Sequence, residues 1–220
     1  MLDRTLALKT KLRELSVERR AAHSEAMQIA LDTWVAHLKT VDMTAGALAV
    51  GSKLPSFLLP NAEGKLVSSD DLLRKGPLAV SFYRGDWCPF CVLALQSLAE
   101  AFSEIRDIGG SVVAITPDLI SVTETTVADL ALPFDVLSDV DSAFGLQCGV
   151  IYRVPDPLME HFAFLGLPQR HGGDAFFLPV PAAFVADTTG TIRYAYVDPD
   201  YEKPPDGWAL IESLRALGAD

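Results

Sequence analysis

Cysteine is scarce in this chain, with three residues among 220, and neither proline nor glycine occurs before Gly46. An odd set of three thiols excludes the even disulfide framework of a small secreted protein. No apolar run approaches the roughly 18 residues of a membrane-spanning helix. The start Met1-Leu2-Asp3-Arg4 stays charge-studded and lacks the unbroken apolar core of a signal peptide. Positive charge is also short: 18 Lys and Arg stand against 29 Asp and Glu, a net charge of −11. The first 48 residues hold seven Lys and Arg against six acids, so residues 49–220 carry −12 by difference. Such a balance argues against nucleic acid and anionic membrane surfaces as partners. The reducing cytoplasm is the expected compartment, where a C-x-x-C is more often catalytic or metal-binding than structural.

Two of the three cysteines stand together in Trp87-Cys88-Pro89-Phe90-Cys91, after the apolar run Leu78-Ala79-Val80-Ser81-Phe82-Tyr83 and before an amphipathic stretch. A helix beginning at Cys88 or Pro89 puts both thiols on its first turn, with Cα atoms about 5 Å apart, within disulfide reach. The pair can then open and close without moving the fold. Unpaired N–H groups and the positive helix end favour an anion at the first cysteine, so Cys88 is expected as the thiolate and Cys91 as the thiol that resolves it. Pro89 fits between them because the first turn needs no hydrogen bond from its nitrogen. A structural zinc site needs four ligands, and no second C-x-x-C or suitably spaced His pair exists, so neither metal nor cofactor is expected.

Residues 2 to about 40 carry apolar groups at helical spacing, among them Leu8, Leu12, Leu15, Ala22, Ala26, Ile29 and Leu38, and predict one long helix or two. That stripe must pack on the main body or on a second subunit, which leaves a homodimer through these helices open. The expected division is an N-terminal helical extension over 1–48 and a main domain over 49–220. Residues 54–67 suggest a proline-bounded hairpin, and Ser69 an N-cap for a short helix through Arg74. Strands at 78–83, 111–116 and 134–137 then alternate with helices at about 89–107, 119–130 and 140–148, implying an α/β fold with parallel strands. Residues 155–181, with five prolines and three glycines, read as a loop with a short helix beside the site. A hairpin over 182–197 and a helix over about 207–217 close the chain.

The stretch Val50-Gly51-Ser52-Lys53-Leu54-Pro55-Ser56-Phe57-Leu58-Leu59-Pro60, the run Phe82-Tyr83-Arg84-Gly85-Asp86-Trp87-Cys88-Pro89-Phe90-Cys91, Val180-Pro181-Ala182-Ala183-Phe184-Val185, and Tyr194-Ala195-Tyr196-Val197-Asp198-Pro199-Asp200-Tyr201 occur in this order. Together they resemble the peroxiredoxin-like branch of the alkyl hydroperoxide reductase and thiol-specific antioxidant family, over roughly residues 50–220. The resemblance implies a thioredoxin-like fold, a central mixed sheet flanked by helices. It also implies Cys88 as the reactive cysteine and a cis Val180–Pro181 bond facing the cysteines. The family pattern has proline seven residues and threonine or serine three residues before that cysteine; here those positions hold Ser81 and Gly85. Where many relatives have arginine before the late strand, this chain has Pro181-Ala182-Ala183, closer to thioredoxin.

Arg84 either lowers the Cys88 pKa and donates to the peroxide in place of the missing hydroxyl, or pairs with Asp86. Trp87 either shields the thiolate and docks a partner, or simply packs. Cys148 reads as a buried inert thiol, His23 and His37 as surface residues, and His161 and His171 as proton carriers without supporting spacing. The leading expectation is a peroxidase: Cys88 attacks hydrogen peroxide or an alkyl hydroperoxide, Cys91 resolves the sulfenate, and a thioredoxin- or glutaredoxin-like protein reduces the disulfide. The rivals are a thiol–disulfide oxidoreductase acting on protein disulfides and a redox-sensing dimer without turnover.

Overall fold

The computed structural model describes residues 2–217; Met1 and residues 218–220, the outer ends of the two expected spans, lie outside the described residues. Two helices, α1 (Leu2–Ala22) and α2 (Glu25–Thr40), come first, then β1 (Leu58–Pro60), β2 (Leu66–Ser68) and α3 (Ser69–Leu73). The central run is β3 (Leu78–Phe82), α4 (Pro89–Asp107), β4 (Ser111–Thr116), α5 (Ile120–Leu130), β5 (Asp135–Ser138) and α6 (Ala143–Gln147). It is followed by β6 (Ile151–Arg153), α7 (Asp156–Phe164), α8 (Leu167–His171), β7 (Phe177–Pro179), β8 (Ala182–Ala186), β9 (Ile192–Val197) and α9 (Gly207–Leu217).

Five strands form the central sheet in the order β5-β4-β3-β8-β9. β3, β4 and β5 are mutually parallel, while β8 runs antiparallel to β3 and β9 antiparallel to β8. This is the thioredoxin-like mixed sheet between helices that the resemblance implies. β3 is buried along its whole length, and its alternating side chains serve two cores. Leu78, Val80 and Phe82 face the core that takes in α2, α6 and α7, whereas Ala79 and Tyr83 face α4 and α9. Because β3 is paired on both sides, a proline at Ser81 would remove an N–H from a central ladder. None of the helices among the described residues is long and apolar enough to cross a membrane.

The N-terminal stretch is two helices because Ser24 caps the second, its Oγ accepting from the Met27 N–H. The break resets the apolar phase. Leu8 is buried and Leu12 and Leu15 pack with the α4 and α9 core, but Ala22, Ala26 and Ile29 are exposed. α2 instead buries Leu31, Trp34, Val35 and Leu38. Both helices thus pack on the body of the same chain.

Three further expectations are corrected. The short helix is capped by Ser68, which accepts from Asp71 N–H; Ser69 is its first residue, and its Oγ accepts from the Phe57 N–H at 2.9 Å. Residues 155–181 are far more ordered than a loop. Pro157 and Pro168 fall in the first turns of α7 and α8, where a missing N–H costs nothing, and β7 pairs antiparallel with β6. The Val180–Pro181 bond is trans, as are all peptide bonds among the described residues. Val180 N–H donates to Val150 at 2.9 Å and the Pro181 carbonyl accepts from Asp198 at 3.0 Å, so hydrogen bonds on both sides hold the bend at Pro181 between β7 and β8.

Candidate active site

The strand-to-helix turn after β3 delivers the C-x-x-C. Cys88 occupies the N-cap of α4, Pro89 begins the helix, and Cys91 donates its backbone N–H to Cys88 Sγ at 3.4 Å. Both cysteines are free and buried, Cys88 fully so. The turn is fixed by Cys88 N–H on the Gly85 carbonyl at 3.2 Å and by Trp87 Nε1–H on the Arg84 carbonyl at 3.1 Å. Gly85 has φ +137°, and a Cβ there would fall 2.3 Å from Trp87 Nε1. Glycine therefore stands at the position of the family's hydroxyl because the indole occupies that space.

Arg84 is 4% exposed and donates from Nη2 to Cys88 Sγ at 3.1 Å. Its guanidinium carbon lies 4.9 Å from the Trp87 ring centroid and 4.5 Å from that of Tyr201, so two aromatic faces fix the cation. Arg84 Nε is buried with no hydrogen-bond partner among the described residues, which costs about 1–3 kcal/mol while it stays unused. Asp86 does not pair with Arg84: it accepts from Arg170 and, at 3.2 Å, from Thr126, while Arg170 Nε also donates to the buried Asp118 at 3.2 Å.

Burial by itself would push the Cys88 thiol up. The Cys91 thiol hydrogen bond, the Arg84 charge and the Arg84 hydrogen bond outweigh it and bring Cys88 down to about 6. Cys91 moves the other way, well above the ordinary thiol range, through burial and the neighbouring Cys88 thiolate whose hydrogen bond its proton supplies. One thiolate and one thiol is the state these environments favour. Cys148 is fully buried, and burial with nearby Asp139 pushes it up, as for an inert core thiol.

A cavity of about 80 Å³ opens on Cys88. Its apolar wall is Leu31, Phe90, Phe162 and Leu165, and its polar lining includes Arg19, Arg20, His23, His161, Tyr201 and Glu202. On a water-probe scale that is room for roughly half a dozen positions. Of the six residues singled out from sequence, Arg84, Trp87, Cys88 and Pro89 line the cavity; Cys91 lies behind Cys88 on α4. Pro181 does not line it; it is buried beside Ala182, which pairs with Phe82 at the end of β3. His171 packs 3.6 Å from Asp118 outside the cavity, and burial with Arg170 lowers it to about 4. His23, read as a surface residue, instead meets His161 edge-on at 6.1 Å across the cavity. Sequence reasoning also missed Tyr201, although the stretch that carries it was part of the resemblance, and Arg19 and Arg20, for which no local signal exists. No group of three or more His, Cys, Asp or Glu among the described residues is placed to hold a metal.

The sequence profile of the AhpC/TSA family matches residues 50–195. Among curated proteins, the chain is 32% identical over 105 residues to a putative peroxiredoxin bcp of Coxiella burnetii, covering 48% of this chain and 69% of that protein. It is 26% identical over 154 residues to the chloroplastic peroxiredoxin Q of Triticum aestivum, covering 70% of this chain and 61% of that one. The chain thus spans under two thirds of the wheat relative's length. Among solved structures, peroxidoxin BcpB from Mycobacterium tuberculosis superposes with a TM-score of 0.62 at 20% identity, over 77% of this chain and 98% of that one. A peroxiredoxin Q from Xanthomonas campestris gives a TM-score of 0.58 at 16% identity, over 74% of this chain and 91% of that one. At those identities the structures speak for the fold.

Proposed function

The chain belongs to the AhpC/TSA family, and we propose that it is a thiol-dependent peroxidase in which Cys88 reduces hydrogen peroxide or an organic hydroperoxide and Cys91 resolves the product. The observation that carries this reading is the 3.1 Å contact from Arg84 Nη2 to Cys88 Sγ beside a small cavity. The Cys88 thiolate attacks the terminal peroxide oxygen; an S–O bond forms, the O–O bond breaks, and hydroxide or alkoxide leaves and takes a proton from water. Arg84 stabilises the charge that moves from sulfur to the departing oxygen, the part that the absent hydroxyl at position 85 would have shared. The Cys91 thiol then displaces water from the sulfenic acid, and a thioredoxin-type dithiol reduces the disulfide. Both sulfurs belong to the first turn of α4, so closing the ring asks little of the fold.

The protein-disulfide reading has less support. It gives no role to the donor that Arg84 holds on Cys88 Sγ or to the small cavity beside it. Peroxide consumption with a supplied dithiol, run beside insulin-disulfide reduction on the parent, Cys88→Ser and Cys91→Ser, tests the assignment. Peroxide turnover lost in Cys88→Ser supports it. Insulin reduction without peroxide turnover would reverse it.

A further inference from the structure

Hydrogen peroxide needs neither an apolar wall nor a second cation, yet the cavity on Cys88 has both. The α1–α2 hairpin contributes Arg19, Arg20, His23 and Leu31 to its lining. Arg20 is engaged by Asp32 at 2.8 Å and by Glu202 at 3.3 Å, and Glu202, the single carboxylate of the lining, also accepts from Ser16 at 2.7 Å. Arg19 is exposed and forms no ion pair among the described residues. It lies in the last turn of α1, its carbonyl accepts from the His23 N–H just past the helix end at 3.2 Å, and its charge is felt at His161, which burial, His23 and Arg19 hold below the ordinary histidine range. The same cavity is lined by Leu31, Phe90, Phe162 and Leu165 as well as by Cys88. At the inner end, the unpartnered Nε of Arg84 is a second donor beside the one that meets Cys88.

We propose that the oxidant this site prefers is a small organic hydroperoxide bearing a carboxylate, with its peroxide at Cys88 and Arg84, its hydrocarbon against Phe162 and Leu165, and its anion at Arg19 and His23. The inference rests on the peroxidase reading and names its substrate class. The step is the same two-electron exchange: sulfur is oxidised to the sulfenic acid, the O–O bond is reduced, and the carboxylated alkoxide takes its proton from water. No further reactant is required. The rim also runs against its background, because a chain of net charge −11 repels anions at long range and would otherwise favour the neutral peroxide.

A matched pair tests this with the full-length reduced protein: cumene hydroperoxide and its ring-carboxylated analogue at the para position, with hydrogen peroxide as the control. The expected kcat/KM is about two- to fivefold higher for the carboxylate, the size of one partly exposed ion pair, and that ratio falls as salt is raised. Arg19→Gln brings the ratio toward parity, Arg19→Glu inverts it, and Arg19→Lys retains it, each variant being checked for native circular dichroism. Turnover of hydrogen peroxide with parity between the two organic peroxides, or a ratio that none of the Arg19 variants moves, overturns the inference alone. Failure to turn over any of the three overturns it together with the peroxidase reading.

Discussion

Arg84 Nη2 stands 3.1 Å from Cys88 Sγ, and the guanidinium is held there between the faces of Trp87 and Tyr201. One buried cation thus faces the sulfur directly, and its neighbours leave it little freedom to turn away. Replacing it with a shorter neutral side chain removes both the charge and the hydrogen bond. Arg84→Gln is expected to lower the second-order rate with peroxide by about 10²-fold, the typical loss for one preorganised donor. Arg84→Lys keeps the charge without the planar fork and should recover only part of that loss. Stopped-flow fluorescence of the parent and both variants measures it; an unchanged rate in Arg84→Gln would remove Arg84 from the chemistry.

The thiolate has a sign to its pH dependence. Cys88 falls from an ordinary thiol value of 9.0 to about 6 in the folded protein. The reactive form is therefore present above about 6 and lost as pH drops through it. The peroxide rate should be flat near neutrality and fall about tenfold per pH unit on the acid side. By the same linkage, Cys88 contributes stability that is fully present above 9.0 and lost as pH falls through about 6. Ultraviolet thiolate absorbance of the reduced parent, with Cys88→Ser as the blank and Cys91 and Cys148 both held up by burial, follows the titration; a midpoint near 9.0 would contradict it.

Restoring the family's hydroxyl should harm this protein. At Gly85, φ is +137° and an added Cβ would lie 2.3 Å from Trp87 Nε1 and 3.0 Å from Asp118 Oδ2. Gly85→Thr therefore displaces the indole that packs on Arg84. It is expected to destabilise the fold by about 1–3 kcal/mol and to reduce peroxide turnover. Chemical denaturation and the peroxide assay read the two effects; a more active, equally stable variant would show the space at Gly85 to be free.

The strands and helices of the central run were legible because each carries its own period, and the C-x-x-C announced a helix start before any geometry was known. What escaped was set by long-range packing. Ser24 resets the phase of the N-terminal stripe, so Ile29 turns outward and Trp34 inward, a shift that the count of apolar residues alone could not register. Tyr201 lies more than a hundred residues from Arg84, and only the closed fold sets its ring 4.5 Å from the guanidinium. The cis bond implied at Pro181 came from the resemblance, and the bond is trans, in a bend with hydrogen bonds on both sides.

The boundary expected near residue 48 separates stretches of sequence more clearly than it separates cores. Leu31, Trp34 and Leu38 belong to the core formed with Phe82, Tyr152 and Phe162. Deleting residues 1–45 is expected to uncover that surface, so the shortened chain should aggregate or bind a hydrophobic dye. Cooperative unfolding of a soluble truncated protein would instead establish 49–220 as a domain that folds alone.

The central claim is that Cys88 takes the oxygen and Cys91 closes the disulfide. Peptide mass mapping after one equivalent of hydrogen peroxide tests it most directly, on the reduced parent and on Cys91→Ser with a sulfenate-trapping reagent present. The account predicts a Cys88–Cys91 disulfide in the parent and a trapped sulfenate on Cys88 in the variant. Oxidation confined to Cys91 or Cys148, or no oxidation at all, would contradict it.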